Sequence, residues 1–195
     1  KANVYGNQVT GSGNATGGTA SIIKSKITGN VYGASANTGN AEGNKVDIKE
    51  NSEIIGNIYG GLLVGENAIA KNNTVTVDTS TITGSIYGGK ADSISYNGEI
   101  SGNIINVNNT SIKGDIYGGY SEVENKAFNN TVNLDKVTFD TGTYSVLASN
   151  NNTNNSGEQT GGVVNVQSNG VENKGSLTIG GGALNIDGEI TGSGN

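Results

Sequence analysis

Short runs of alternating apolar and polar residues recur along the chain at a nearly constant interval. Val75 and Val77 share one face of such a run, and Asp78-Thr79-Ser80 then changes the parity, as a bend would. Ile82, Gly84 and Ile86 share the next face, with Tyr87 pointing the opposite way. Equivalent pairs are Ala20/Ile22, Val46/Ile48, Ile105/Val107 and Val132/Leu134. Period-two alternation rich in Val and Ile predicts strands, and no stretch carries a sustained helical period.

The interval decides the architecture. Tyr5, Tyr32, Tyr59, Tyr87, Tyr117 and Tyr144 form a near-regular series, with successive intervals of 27, 27, 28, 30 and 27. Five residues before each of the last five stands Ile27, Ile54, Ile82, Ile112 or Phe139. Gly29, Gly56, Gly84 and Gly114 stand three before four of them. An Asn (Asn44, Asn73, Asn103, Asn130) precedes four of the Val/Ile pairs by two. A fixed period of this length means a repeat array. Two strands in about 17 residues, then a stretch of variable length, fit one coil of an all-β parallel β-helix, a β-solenoid with strands about 4.8 Å apart. Dividing 195 residues by a mean period near 28 gives about seven coils. Ile54, Ile82 and Ile112 should form one buried column, and Tyr32, Tyr59, Tyr87 and Tyr117 an outward ladder. Residues 1–147 read as regular coils, 148–162 as a polar excursion and 163–195 as irregular coils continuing a rod.

Composition narrows the chemistry. The chain has 33 Gly among 195 residues, 11 Lys+Arg against 17 Asp+Glu, and no His, Cys, Pro, Met or Trp. All the cations are Lys. Without His or Cys there is no Cys/His zinc site, no Ser-His-Asp triad and no Cys-His dyad. An acidic chain without Arg is poorly suited to neutralising phosphates, so no nucleic-acid partner is expected. No apolar run approaches the roughly 18 residues of a membrane helix, so no membrane insertion by this segment is expected. No signal peptide is visible, which reads as a mature or excised segment.

Each candidate motif has a bland alternative. The tyrosines are either an aromatic platform for sugar or protein, or a stacking ladder that stabilises the rod. The Asn column reads as corner residues that tolerate a left-handed backbone and bond to one another. Gly-Gly after Tyr reads as a turn, since no helix or Lys-Ser/Thr pair follows it. GGALNID at 181–187 has a faint likeness to a calcium-binding repeat but has no tandem copies. The Thr-rich stretch at 74–83 could suggest a flat ice-binding row, but Asp47 and Asn106 replace Thr76 in neighbouring coils. Asp135 and Asp140 are the nearest pair for glycoside hydrolysis. Neither a catalytic residue nor a metal or cofactor is expected. Ligand contact is expected in the segments 62–72, 90–102, 120–129 and 148–162 that follow the Tyr-Gly-Gly strings, with Tyr96 and Tyr120 as aromatic anchors.

The strings Ile58-Tyr59-Gly60-Gly61, Ile86-Tyr87-Gly88-Gly89 and Ile116-Tyr117-Gly118-Gly119, the intervening Asn-x-Val-x-Val runs and the end GSLTIGGGALNIDGEITGSG resemble passenger domains of large bacterial autotransporter adhesins of the Fusobacterium and Veillonella kind. The resemblance implies a right-handed β-helix displayed on the cell surface. It also implies an outer-membrane barrel outside these 195 residues, and a glycan or protein receptor on host cells or other bacteria. A two-partner-secreted filamentous exoprotein is the related alternative, and a carbohydrate-processing β-helix enzyme the alternative of a different class.

Overall fold

A computed structural model describes residues 2–65, 68–93, 98–122, 126–151 and 161–192. It is an all-β parallel β-solenoid, with no helix among the described residues. Every strand pair is parallel, and equivalent residues of successive turns are register partners. The first face is a sheet of seven strands, from Val4–Val9 through Val31–Ala36, Ile58–Leu63, Ile86–Ala91, Ile116–Ser121 and Thr143–Asn151 to Ser176–Gly180. The second is narrow, with Ala15–Thr16, Ala41–Glu42, Ile69–Lys71, Glu99–Ser101 and Ala127–Phe128. The third is a sheet of 12 strands in which each turn contributes a long run and, past a bend, a short one, such as Thr74–Asp78 and Thr81–Ile82.

The regular repeat amounts to about five turns with a period near 28, not seven, because only five strands line the second face among the described residues. Length divided by period counts every residue as part of a regular turn. The final rung is longer: Val146 pairs with Ile179, a wider interval than that from Ile116 to its partner Val146 one rung earlier.

The bends have a local cause. Lys24, Asn51, Thr79, Asn109 and Lys136 take positive φ, between 45° and 62°, at the corner inside the third face. Each such residue follows another outward one, so two or more successive side chains stay outside the core before the next turns inward, which produces the parity change visible at Asp78-Thr79-Ser80. A second left-handed position, Gly43, Asn72, Gly102 or Asn129, precedes each buried Asn. The left-handed residue of that corner is therefore the one before the Asn.

Two cores fill the tube. The larger contains Ile54, Ile82 and Ile112, each with no exposed surface and in register, together with Val46, Val75, Ile105, Val132 and Phe139. The smaller is built from Ala34, Ala41, Ala70, Ala91 and Ala127 with Leu63 and Ile100, where the first and second faces converge. Asn44, Asn73, Asn103 and Asn130, all fully buried, stand between the second and third faces. Asn103 is typical. Its Nδ2 donates to the Ala70 carbonyl (3.0 Å) and to Asn130 Oδ1 (2.9 Å). Its Oδ1 accepts from the backbone N–H (3.0 Å) and Nδ2 (2.9 Å) of Asn73. Every capacity of the amide is used, so burial leaves no polar group unpaired. The same holds throughout: among the described residues no buried side-chain nitrogen or oxygen lacks a partner.

This column explains the Gly-Gly pairs, which are not turns. They lie inside first-face strands and pack on the amides. A Cβ on Gly89 would sit 2.7 Å from Asn103 Nδ2, and one on Gly61 2.6 Å from Asn73 Nδ2. Bare backbone is what lets the strand approach the amide.

Residues 148–151, assigned to the polar excursion on sequence, end the strand Thr143–Asn151, and Ala148 is fully buried. Residues 152–160 lie outside the described chain.

Candidate functional site

Two columns on the outside of the tube qualify. On the first face, Tyr5, Tyr32, Tyr59, Tyr87 and Tyr117 stack with ring centroids 4.5, 5.0, 5.1 and 5.4 Å apart. Planes are within 4–9° for the first three pairs and 23° for the last. Strand pairing at about 4.8 Å sets this distance, so register alone brings the rings into contact. Residues two before each Tyr hold the hydroxyls: Asn30 Nδ2 donates to Tyr32 Oη (2.8 Å) and Asn57 Nδ2 to Tyr59 Oη (3.1 Å). Their Oδ1 atoms accept the backbone N–H of the next turn, Asn57 and Ser85, both at 2.9 Å. The ladder is outside the core, yet Tyr32 and Tyr59 are only 7% exposed, since each ring is covered by the ones above and below.

Burial pushes the phenols of Tyr32, Tyr87, Tyr117 and Tyr120 above their ordinary value, and the Asp115 carboxylate adds to this at Tyr117. Tyr120 is opposite Lys90 in register and packs edge-on against Tyr87 and Tyr117 (5.8 and 5.2 Å). Lys90 Nζ lies 5.3 Å from the Tyr87 centroid and 5.7 Å from that of Tyr120, and is paired with Asp92 at 2.5 Å. Burial alone would lower the Lys90 ammonium, but Asp92 and the neighbouring rings hold it above the usual value. Tyr120 thus thickens the ladder instead of projecting from it. Tyr96 lies outside the described residues.

Tyr144 is not the sixth ring. Leu147 is the register partner of Tyr117, and Tyr144 packs against Phe139 at 5.9 Å. The segments expected to project are partly structural: Ala70, Ile100 and Ala127 within them are fully buried. Their residues 66–67, 94–97, 123–125 and 152–160 lie outside the described chain.

The second column is a polar groove at the bend inside the third face, about 550 Å³, lined by Asn51, Ser52, Glu53, Thr79, Ser80, Thr81, Asn109, Thr110, Ser111, Lys136 and Thr138. A second groove of about 290 Å³ shares Lys136 and Thr138 and continues to Asn169, Glu172 and Thr191. One wall is a register column, Glu53, Thr81, Ser111, Thr138, Glu172, Thr191, one residue per rung. The floor hydroxyls are committed to the backbone of their own bend: Ser52 Oγ donates to Lys49 O (2.7 Å), Ser80 Oγ to Asp78 O (2.9 Å) and Thr110 Oγ1 to Asn108 O (2.7 Å). Sequence reading missed the groove. Its signal was the Ser or Thr that follows four of the five left-handed bends, Val137 being the exception.

The acidic candidates are separately engaged. Asp135 accepts from the backbone N–H and Nδ2 of Asn169, each at 3.0 Å. Asp140 pairs with Lys113 at 2.9 Å, which with the Thr141 N–H holds its carboxyl below the usual range. Near Asp187 the described residues hold no group of three or more metal-ligating acids, His or Cys. No protein family, curated protein or solved structure matches this chain.

Proposed function

We propose that the chain is a rod segment of a bacterial cell-surface adhesin of the autotransporter passenger kind, right-handed in its coil and held at the outer membrane. The observation that carries the reading is the solenoid itself: about five turns whose interior polar groups are saturated from turn to turn, with grooves and an aromatic column running along its outside. A stack of nearly identical coils supplies length and regular surface. Right-handed coiling follows the strong preference of parallel crossover connections. A cysteine-free chain suits passage through a membrane pore in the unfolded state.

The test is adhesion by the purified 195-residue chain immobilised on beads. Attachment of epithelial cells or of bacteria well above that to beads bearing an unrelated β-solenoid is expected. Equal attachment to both would overturn the reading.

A further inference from the structure

The groove at the bend differs from the two asparagine columns. The buried amides are saturated, and the outward Asn106, Asn133, Asn165 and Asn185 bond to one another at 2.8, 2.7 and 2.9 Å. On the groove walls the side chains of Asn51, Thr81, Ser111 and Lys136 make no hydrogen bond or ion pair with the described residues. Six other lysines are ion-paired with a carboxylate. Lys136 lines both grooves and makes no ion pair with the described residues.

We propose that this groove binds an extended acidic glycan lying parallel to the rod axis, with the carboxylate of one uronic or sialic acid unit on Lys136. Four features select that ligand. The lining is hydroxyl, amide and charge, with no aromatic or large aliphatic side chain in the first groove, so an apolar peptide or lipid chain gains nothing there. The Thr81, Ser111 and Thr138 hydroxyls recur once per rung, at about 4.8 Å, close to the length of one pyranose unit in an extended chain. The volumes, about 550 and 290 Å³, suit a few sugar units. Glu53 at one end, and at the other Glu189 and Glu172, which accepts from Thr138 Oγ1 (3.3 Å), flank the hydroxyl stretch and repel a polymer charged at every unit. The favoured glycan therefore alternates an acidic sugar with neutral ones. This rests on the adhesin reading in taking the glycan as a surface receptor.

Calorimetric titration of the 195-residue chain with three probes tests it: a hyaluronan hexasaccharide, which alternates uronate with a neutral sugar, neutral chitohexaose, and oligogalacturonate, charged at every unit. Hyaluronan is expected to bind at least several-fold more tightly than either of the others and to weaken as salt rises. Lys136→Asn should lower its affinity about tenfold, to the level of chitohexaose. Asn accepts the positive φ of this position, so the bend is retained, and an unchanged thermal melt checks that. Ser111→Ala, remote from the charge, should cost a few-fold. Equal binding of all three probes, no binding at millimolar concentration, or unchanged affinity in Lys136→Asn would each overturn the proposal. If Lys136→Asn binds hyaluronan as the parent does while cell attachment persists, the groove is wrong, the adhesin reading stands and the Tyr face becomes the protein-binding surface. If hyaluronan binds through Lys136 but cells do not attach, the groove stands and the adhesin reading falls.

Discussion

In the middle turns a full amide side chain faces bare backbone: Asn73 meets Gly60-Gly61, Asn103 meets Gly88-Gly89 and Asn130 meets Gly118-Gly119. At the next rung the contact is reversed. Gly162 occupies the Asn position and meets Ala148 and Ser149, where a Cβ on Gly162 would come within 2.7 Å of Ala148 Cβ. The first rung is reversed too, with Gly18 against Asn7. In these rungs one side of the contact carries a side chain and the other carries none, while the Asn44 rung has Gly33-Ala34 in place of the glycine pair. The tyrosine column and the second face stop at the same rung, whereas the outward asparagines and the apolar third-face columns continue through Asn165, Val164 and Val166. Leu147 replaces Tyr opposite Tyr117, and the second face has no strand after Ala127–Phe128 among the described residues. The repeat is therefore a set of mutually dependent positions, and a column persists only where its neighbours fit it.

Removing an amide from the middle should have the largest effect. Asn103→Leu leaves the backbone N–H of Asn73 without its partner, removes a donor from the Ala70 carbonyl and takes one of two acceptors from Asn73 Nδ2. Each unpaired buried group costs about 1–3 kcal/mol, so a loss of about 4 kcal/mol or outright failure to fold is expected. Urea unfolding measures it. A loss under about 1 kcal/mol would mean that the column is a passenger of the fold and not a support.

The amide–glycine contact itself gives a smaller, sharper result. Gly89→Ala places a Cβ 2.7 Å from Asn103 Nδ2 and 2.9 Å from Ile100 Cγ2, and should cost about 1–3 kcal/mol as overpacking. In an Asn103→Gly background the first clash is absent, so the added cost of Gly89→Ala should fall by about 1 kcal/mol or more. Strict additivity in the double-mutant cycle would show that the two positions do not depend on each other.

How much of this was legible depends on whether a position carries its own signal. The strand pairs, the Ile54/Ile82/Ile112 column and the tyrosines repeat a residue type at fixed offsets, and their side chains lie where parity puts them. The second face left little trace, because its strands are two or three residues long, too short for alternation, and the stretches leading into them vary in length. Gly60-Gly61 was read as a turn because nothing local distinguishes a glycine that bends from one that yields space to a side chain across the tube. Tyr144 matched by type and interval, yet the true equivalent of Tyr117 is Leu147, a little further along the same strand. The groove was invisible for a related reason. Its walls combine residues from five or more turns, and no single turn contains a motif.

The aromatic column yields the mildest contrast, read through pH. Tyr32, Tyr87, Tyr117 and Tyr120 have phenols raised above 10.0, burial being the largest cause in each. A raised phenol holds its proton in the folded chain after the unfolded chain has lost its own. The resulting stability is complete below about pH 10 and is lost as pH climbs through the folded values. Melting temperature should therefore fall steadily above pH 10, before any change in the amide columns, which do not titrate. Tyr117→Phe should flatten that fall more than Tyr32→Phe. Tyr117 has both burial and the Asp115 carboxylate against ionisation, whereas at Tyr32 the Asn30 hydrogen bond opposes the effect of burial. Below pH 10 the loss of one phenol hydroxyl should change the melt little, since the stacked ring is retained. If the alkaline slope were the same in both variants and the parent, the buried stack would not be what couples stability to pH, and the contrast between ionisable ladder and neutral amide column would have to be abandoned.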